Sequence, residues 1–250
     1  MADQPVAIVT AAGRGIGAAC ARGLHAKGYR LALMSPSERS VELAHELGGI
    51  GFSGSVTEQL DIDQLVAATL ETFGRIDAVV NNTGYEKYSV VEGSFGAAFN
   101  WEAETDPLDV PDDYWHEALD LFVLNVVRMA RAVTPVMQRQ GGGAMVNISA
   151  ICAQLPMLDY PMSSTIRTVL SSFIKLYSDM YARDGIRMNN LLLGYIANLD
   201  YPDEAYRTIP MGRAASLDEI ARNCIAFLGE DASYIAGENL FVDGGVNRSL

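Results

Sequence analysis

The sequence is short of basic residues, and this shortage excludes two classes of partner. Its 250 residues include 18 lysines and arginines against 31 aspartates and glutamates, which gives a formal net charge of −13. Nucleic acids and anionic membrane surfaces bind through positive protein faces that displace counterions. We therefore expect neither as a partner, and a neutral or cationic small molecule suits this charge better.

Cysteines and long apolar runs are also scarce. Cys20, Cys152 and Cys224 lie far apart without paired spacing, which argues against a disulfide framework or a metal site and for a reducing compartment. No apolar run approaches the roughly 18 residues that a membrane span requires. The first residues carry no basic segment followed by a signal-type apolar stretch. We therefore expect a soluble cytoplasmic protein.

Short apolar runs alternate with segments of helical period along the chain. This alternation predicts a parallel sheet covered by helices on both faces, a doubly wound α/β architecture in a single domain, residues 1–250. Two long helices are predicted over 112–138 and 163–183, and Ser216 with Glu219 forms a capping box that opens a later helix. The predicted strands are 6–10, 31–34, 50–53, 78–80, 144–148, 186–193 and 239–242.

One stretch, at about 85–111, breaks this alternation. Loops of this length in compact domains are usually functional or disordered. From Glu86 to Asp120 there are ten acidic residues against the single Lys87, with aromatic residues interspersed. We predict an acidic lid that bears aromatic side chains.

A glycine-rich turn lies between the first predicted strand and the first predicted helix. Residues 10–17 read Thr-Ala-Ala-Gly-Arg-Gly-Ile-Gly. Glycines let the backbone approach a pyrophosphate, and a helix N-terminus supplies N–H groups and a positive dipole. The turn resembles the Thr-Gly-x-x-x-Gly-x-Gly turn of the short-chain dehydrogenase/reductase family, with Ala11 in place of the first glycine. A tight turn without a ligand is the alternative interpretation.

The resemblance continues in family order over nearly the whole chain. Residues 81–84 are similar to the family's Asn-Asn-Ala-Gly, 186–189 to its Ile-Arg-Val-Asn, 193–196 to its Pro-Gly-x-Ile, and 243–245 match Asp-Gly-Gly. The resemblance implies a Rossmann-like fold with about seven strands, a dinucleotide cofactor and a small-molecule substrate. It also implies a homotetramer, or a dimer through the long helices, which the apolar run 121–129 permits.

The tip of the second strand predicts which cofactor binds. Family members specific for NAD usually have an acidic residue there that binds the ribose hydroxyls, whereas this chain has Ser35. With Arg14 and Arg39 nearby, a 2′-phosphate would meet charge-assisted donors, so we expect NADP(H) rather than NAD(H). The cofactor-binding residues that the resemblance implies are Gly13, Arg14, Gly15, Ile16, Gly17, Ser35, Val56, Asn82, Thr83, Gly84, Arg167, Gly194 and Ile196.

The family's serine, tyrosine and lysine are missing from the positions that the resemblance assigns to them. In the family the serine binds the substrate carbonyl, the tyrosine passes its proton, and the lysine lowers the pKa of the tyrosine. An ungapped alignment places Ala150, Ser163 and Arg167 at these positions. A rival alignment uses Tyr160 and Ser164, but it requires a deletion before Tyr160 and an insertion after it.

Neither alignment restores the relay. Arg167 can hold the nicotinamide ribose, but an arginine stays protonated and cannot shuttle protons. Asn125 occupies the place of a family asparagine that bends the long helix and holds a water of the relay. A relocated proton donor would be Tyr160, Tyr195, Tyr85 or Asp159. The candidate catalytic residues are Asn125, Ser163, Arg167, Tyr160 and Tyr195.

Three functions fit this sequence. The first is an atypical NADP(H)-dependent oxidoreductase that transfers a hydride to an iminium carbon, since the product amine needs no protonation at the reacting centre and acidic lid residues would stabilise the cation. An activated C=C or C=O bond, with Tyr160 or Tyr195 as donor, is a second version of this chemistry. The alternatives are a catalytically inactive nucleotide-binding or regulatory homologue and a non-redox enzyme on the same fold.

Overall fold

The central sheet of the protein is parallel and has seven strands in the order β3-β2-β1-β4-β5-β6-β7. The computed structural model describes residues 4–83, 106–158, 160–199 and 201–249. The expected doubly wound α/β fold is confirmed. The strands are β1 (Val6–Thr10), β2 (Arg30–Ser35), β3 (Ile50–Ser53), β4 (Ala78–Asn81), β5 (Gly143–Ala150), β6 (Ile186–Leu193) and β7 (Asn239–Val242).

Helices cover both faces of this sheet. They are α1 (Gly15–Ala26), α2 (Arg39–Glu46), α3 (Gln59–Phe73), α4 (Asp112–Leu119), α5 (Asn125–Gln140), α6 (Pro161–Tyr181), α7 (Asp203–Thr208) and α8 (Leu217–Leu228). One core lies between the sheet and helices α1, α2 and α8, and a second lies between the sheet and helices α3, α5 and α6. Strands buried on both faces read as continuous apolar runs, as β1 does.

The strand order determines where a ligand site is expected. The connections run one way from β1 to β3 and the other way from β4 to β7, so the order reverses between β1 and β4. At such a switch point a crevice opens at the carboxyl ends of the strands, where doubly wound proteins bind their ligands. The glycine-rich turn follows β1, and residues 82–83 follow β4, so both lie at this crevice.

The long helix predicted over 112–138 is interrupted. Helix α4 ends at Leu119, a π-helical turn spans Asp120–Leu124, and α5 begins at Asn125. Such turns insert an extra residue and reorient the side chains around them, and here Phe122 and Asn125 both become buried. The periodicity of the sequence did not predict this break, nor did it predict the short helix α7.

Most of the predicted lid, residues 85–105, lies outside the described residues. Its last part, 106–111, is described, and Val110 is buried there with Ala118, Phe122 and Met162 in a third, smaller core. This end of the segment therefore packs beside helices α4 and α6. Among the described residues, no helix is long and apolar enough to cross a membrane, and no group of three or more metal-ligating side chains is present.

Candidate nucleotide site

The glycine-rich turn is fixed by hydrogen bonds between the ends of β1 and β4. The Thr10 hydroxyl donates to the carbonyl of Asn82 over 2.7 Å and accepts from its backbone N–H over 3.0 Å. The Asn82 side chain in turn donates to the carbonyl of Ala11 at 3.4 Å. A side chain at Gly17 would collide with that carbonyl and would lie 2.9 Å from Asn82 Nδ2. Gly17 and Asn82 thus hold the turn in shape.

The N-terminus of α1 is open toward the crevice. Its cap residue, Arg14, has extended backbone and places no side-chain hydrogen bond over the first turn. Among the described residues, a Cβ on Gly15 would meet only the Asn198 side-chain amide within 4 Å, at 3.6 Å. Ile16 packs its side chain against the first core, so its backbone N–H is the group it can offer a ligand. These features fit a pyrophosphate, which requires close approach to backbone N–H groups.

The adenosine end of the site lies where α1, β2 and α2 meet. A Cβ on Gly13 would lie 3.1 Å from Ser35 Oγ and 3.0 Å from Arg39 Cβ. The Ser35 hydroxyl donates to the carbonyl of Ser37 over 2.9 Å. A cavity of about 330 Å³ opens beside Gly13 and is lined by Gly13, Ala18, Arg22, Arg39, Glu42, Leu43 and Glu46.

Within that cavity, Arg22 is already paired with Glu46, with donor–acceptor distances of 2.5 and 3.0 Å. The Arg39 side chain is exposed beside Gly13. Val56 is half-buried against the second core, so it is at least partly a packing residue. β2 ends at Ser35 rather than at a carboxylate, and Arg39 shares the cavity with Glu42.

Arg167 lies against the end of β5. Its Nε donates to Ser163 Oγ over 3.3 Å, and one of its terminal nitrogens donates to the carbonyl of Ile148 over 3.4 Å. The guanidinium carbon lies 3.9 Å from the centroid of the Phe122 ring. A permanently charged group is therefore held at the Ile148 carbonyl, two residues before Ala150, with its central carbon over an aromatic ring.

The contacts of Ser164 bear on the rival alignment. Its hydroxyl accepts from the backbone N–H of Met157 over 3.0 Å and approaches the Met157 carbonyl at 3.3 Å. Ser164 therefore ties α6 to the preceding loop. Tyr160 is the residue just before α6 and is half-buried. Ser163 and Arg167, one turn apart on α6, lie on the helix face beside β5.

Two buried oxygen atoms near the crevice have no hydrogen-bond partner among the described residues. Asn125 Oδ1 lies at the first residue of α5, and Ser149 Oγ lies on β5 beside Ala150. Both side chains are about 4% exposed. Buried polar atoms are nearly always paired with protein or ordered water, so Asn125 fits a water-holding role.

The segment after β6 runs along the same edge toward the glycine-rich turn. A side chain at Gly194 would lie 2.8 Å from Asp243 Cα, so this glycine makes room for the Asp-Gly-Gly segment. Ile196 N donates to the hydroxyl of Tyr201 over 3.1 Å. The Tyr195 ring packs edge-on against the Tyr201 ring, with centroids 5.0 Å apart. Of the other predicted positions, Thr83 is half-buried after Asn82, and Gly84, Tyr85 and Asp159 lie outside the described residues.

Sequence reasoning missed several residues in and around the sheet. Four asparagines in register form a ladder in which each side-chain amide donates to the next over 2.8 Å. The ladder consists of Asn81, Asn147, Asn190 and Asn239, and Ser171 of α6 donates to its last member. Phe122, Asn198 and Tyr201 were missed as well. An asparagine in each of four strands was the visible signal for the ladder, but only the strand register shows that the four side chains meet.

Comparison with known proteins gives a consistent result. A family model described as enoyl-(acyl carrier protein) reductase matches residues 10–247. The cattle protein dehydrogenase/reductase SDR family member 4 is 30% identical over 97% of this chain and 87% of its own length. The Escherichia coli 3-oxoacyl-[acyl-carrier-protein] reductase FabG is 27% identical over 98% of each chain.

Among solved structures, that of L-sorbose reductase from Gluconobacter frateurii, complexed with NADPH and L-sorbose, superposes with a TM-score of 0.85. The two proteins are 25% identical, and the match covers 100% of this chain and 98% of the other. The TT0495 protein of Thermus thermophilus gives a TM-score of 0.81 at 29% identity and covers 98% of this chain and 99% of its own.

Proposed function

Because this chain belongs to the short-chain dehydrogenase/reductase family, we propose that it is an NADP(H)-dependent oxidoreductase that works without the family's usual proton relay. Membership supports the general type, an NAD(P)-dependent oxidoreductase acting on a small molecule. The preference for NADP(H), the altered catalytic residues and the reaction below are our proposals. The observation that carries them is the position of Arg167 against Ser163 and the end of β5.

The cofactor would lie across the carboxyl ends of β1 and β4. The open N-terminus of α1, with Gly15 and Asn198, would hold the pyrophosphate, and Gly17 with Asn82 keeps that turn in shape. Arg39, with Arg14 at the start of α1, would hold the 2′-phosphate beside Ser35. When bound, NADPH supplies a hydride to an electrophilic carbon. Solved relatives support this choice, since L-sorbose reductase binds NADPH.

Arg167 would hold the nicotinamide ribose through its N–H donors while Phe122 and Ser163 fix its orientation. It holds positive charge at that point but transfers no proton, because a guanidinium stays protonated. Ser163 offers a hydroxyl too short to take the place of a phenol and too weakly acidic to protonate an alkoxide. The chain's own residues therefore favour a substrate whose reduction needs no proton at the reacting atom.

An iminium carbon is such a substrate, since hydride addition gives a neutral amine directly. The formal charge of −13 favours the approach of a cation. Activated C=C and C=O bonds would require a donor, for which Tyr160 and Tyr195 at the same edge are the candidates. Asn125, whose buried Oδ1 has no hydrogen-bond partner in the part of the chain that the structure describes, would hold a water there.

Isothermal titration of the full-length protein with NADPH and with NADH tests the proposal. We expect tighter binding of NADPH, weakened about tenfold or more by Arg167→Ala. Arg183→Ala, an exposed arginine beyond the other end of α6, is the matched control and should not change the affinity. Cyclic iminium compounds, enones and ketones are then compared by loss of NADPH absorbance. Failure to bind either nucleotide would overturn the proposal.

A further inference from the structure

The segment around Ile196 pairs with the segment around Ala215, but the backbone N–H of Ile196 takes no part in this pairing. Ile196 forms a parallel bridge with Ala215, in which Ala197 N donates to the Ala215 carbonyl over 2.9 Å and Ala215 N donates to the Tyr195 carbonyl over 2.9 Å. In a parallel pairing these bonds use the residues on either side of the bridged one. The N–H and carbonyl of Ile196 itself therefore point to the opposite side.

That N–H lies on the stretch joining β6 to the glycine-rich turn. Gly194 follows the carboxyl end of β6, and the Asn198 amide lies 3.6 Å from the place of a Cβ on Gly15. Ile196 lies between these two points. Its N–H is thus a backbone donor along the carboxyl edge at which the proposed cofactor would lie.

The Tyr201 hydroxyl accepts this hydrogen bond at 3.1 Å. The Tyr201 ring is held between two others, edge-on to Tyr195 with centroids 5.0 Å apart and edge-on to Tyr206 with centroids 6.2 Å apart. Perpendicular contacts of this kind are favourable arrangements for aromatic rings. Tyr201 is half-buried, as are its two ring partners.

We propose that Tyr201 is an affinity-determining latch, whose hydroxyl occupies the Ile196 N–H that the carboxamide of the nicotinamide would otherwise accept. The inference rests on the proposed function, because it takes Ile196 as a cofactor contact. A backbone N–H serves one good acceptor at a time, so the nicotinamide half can gain this bond only when Tyr201 releases it. Apparent affinity falls by the fraction of molecules in which the N–H is available.

Removal of the hydroxyl tests the latch. Tyr201→Phe keeps the ring contacts with Tyr195 and Tyr206 but frees the Ile196 N–H, so NADPH should bind roughly three- to tenfold more tightly in isothermal titration. Tyr206→Phe is the matched control, because Tyr206 belongs to the same ring cluster, and its affinity should equal that of the wild type. Thermal melting of each variant checks that the fold is retained.

A second ligand separates the latch from a general change in the site. The analogue 2′-phospho-ADP-ribose lacks the nicotinamide and its carboxamide, so Tyr201→Phe should bind it as the wild type does. Unchanged or weaker NADPH binding by Tyr201→Phe, or an equal gain for both ligands, would overturn the latch and leave the proposed function standing. If the wild type binds neither ligand, the proposed function and the latch both fail.

Discussion

The Arg167 guanidinium carbon lies over the Phe122 ring, 3.9 Å from its centroid. Phe122 belongs to the π-helical turn between α4 and α5, whereas Arg167 belongs to α6. The break in the long helix thus supplies the surface on which the cation rests. A lysine would lack the planar group that makes this contact, so arginine and lysine are not interchangeable at this position.

Replacement of Phe122 by leucine should weaken NADPH binding by roughly three- to tenfold, because Arg167 loses a stacking contact that fixes its orientation. Titration calorimetry measures the change. Phe173→Leu, on α6 but against the second core, is the control and should leave the affinity unchanged. Equal affinity of Phe122→Leu and the wild type would show that the stack does not orient Arg167 for the cofactor.

Ala11→Gly should raise the free energy of unfolding by up to about 1 kcal/mol. Ala11 has φ +46°, a left-handed conformation that strains a residue with a Cβ but not glycine. Glycine makes the unfolded chain more flexible, but this cost is smaller than the strain that it relieves. Ala12→Gly is the neighbouring control, where the alanine is fully buried and the change should destabilise. Urea denaturation of the three proteins gives the order, and a less stable Ala11→Gly would contradict it.

The asparagine ladder should contribute most to stability at its centre. Asn147→Leu leaves Asn81 Nδ2 and Asn190 Oδ1 without partners inside the sheet, so we expect a loss of about 2–4 kcal/mol in the free energy of unfolding. Asn239→Leu, on the half-buried edge strand, should cost about 1 kcal/mol. Urea denaturation measures both, and equal losses would argue against the ladder as a connected network.

Glu219 should make folding depend on acid pH. Hydrogen bonds from Arg213, and then from Ser216 at the start of α8, lower the pKa of Glu219 from 4.5 to about 2. When an acid has a lower pKa in the folded state than in the unfolded state, its ionised form stabilises the fold at pH values above the unfolded-state pKa. This stabilisation is lost as the pH falls toward the folded-state pKa.

The melting temperature of Glu219→Gln should therefore lie below that of the wild type at neutral pH, and the gap should narrow at about pH 3. Glu58→Gln is a suitable control, because Glu58 precedes α3 but makes no side-chain capping bond. A gap that stays constant between the two pH values would exclude the proposed cause.

The sequence predicted the fold because its signals are local. Apolar runs and helical periods depend on neighbouring residues, and some helices end at a glycine that the sequence shows, as α3 does at Gly74 with φ +78°. The glycine-rich turn was visible for the same reason, and so were Ala150, Ser163 and Arg167 as the residues that the ungapped alignment assigns to the family's serine, tyrosine and lysine.

The contacts between distant segments were decided by the tertiary structure. Phe122 meets Arg167, Tyr201 meets Ile196, and Asn198 reaches the start of α1 because separate elements end at one edge of the sheet. The asparagine ladder likewise required strand register, which side-chain pattern alone leaves open where a strand is buried on both faces. The sequence by itself determined the strands, most of the helices and the motifs they carry, and packing at the switch point determined which side chains meet there.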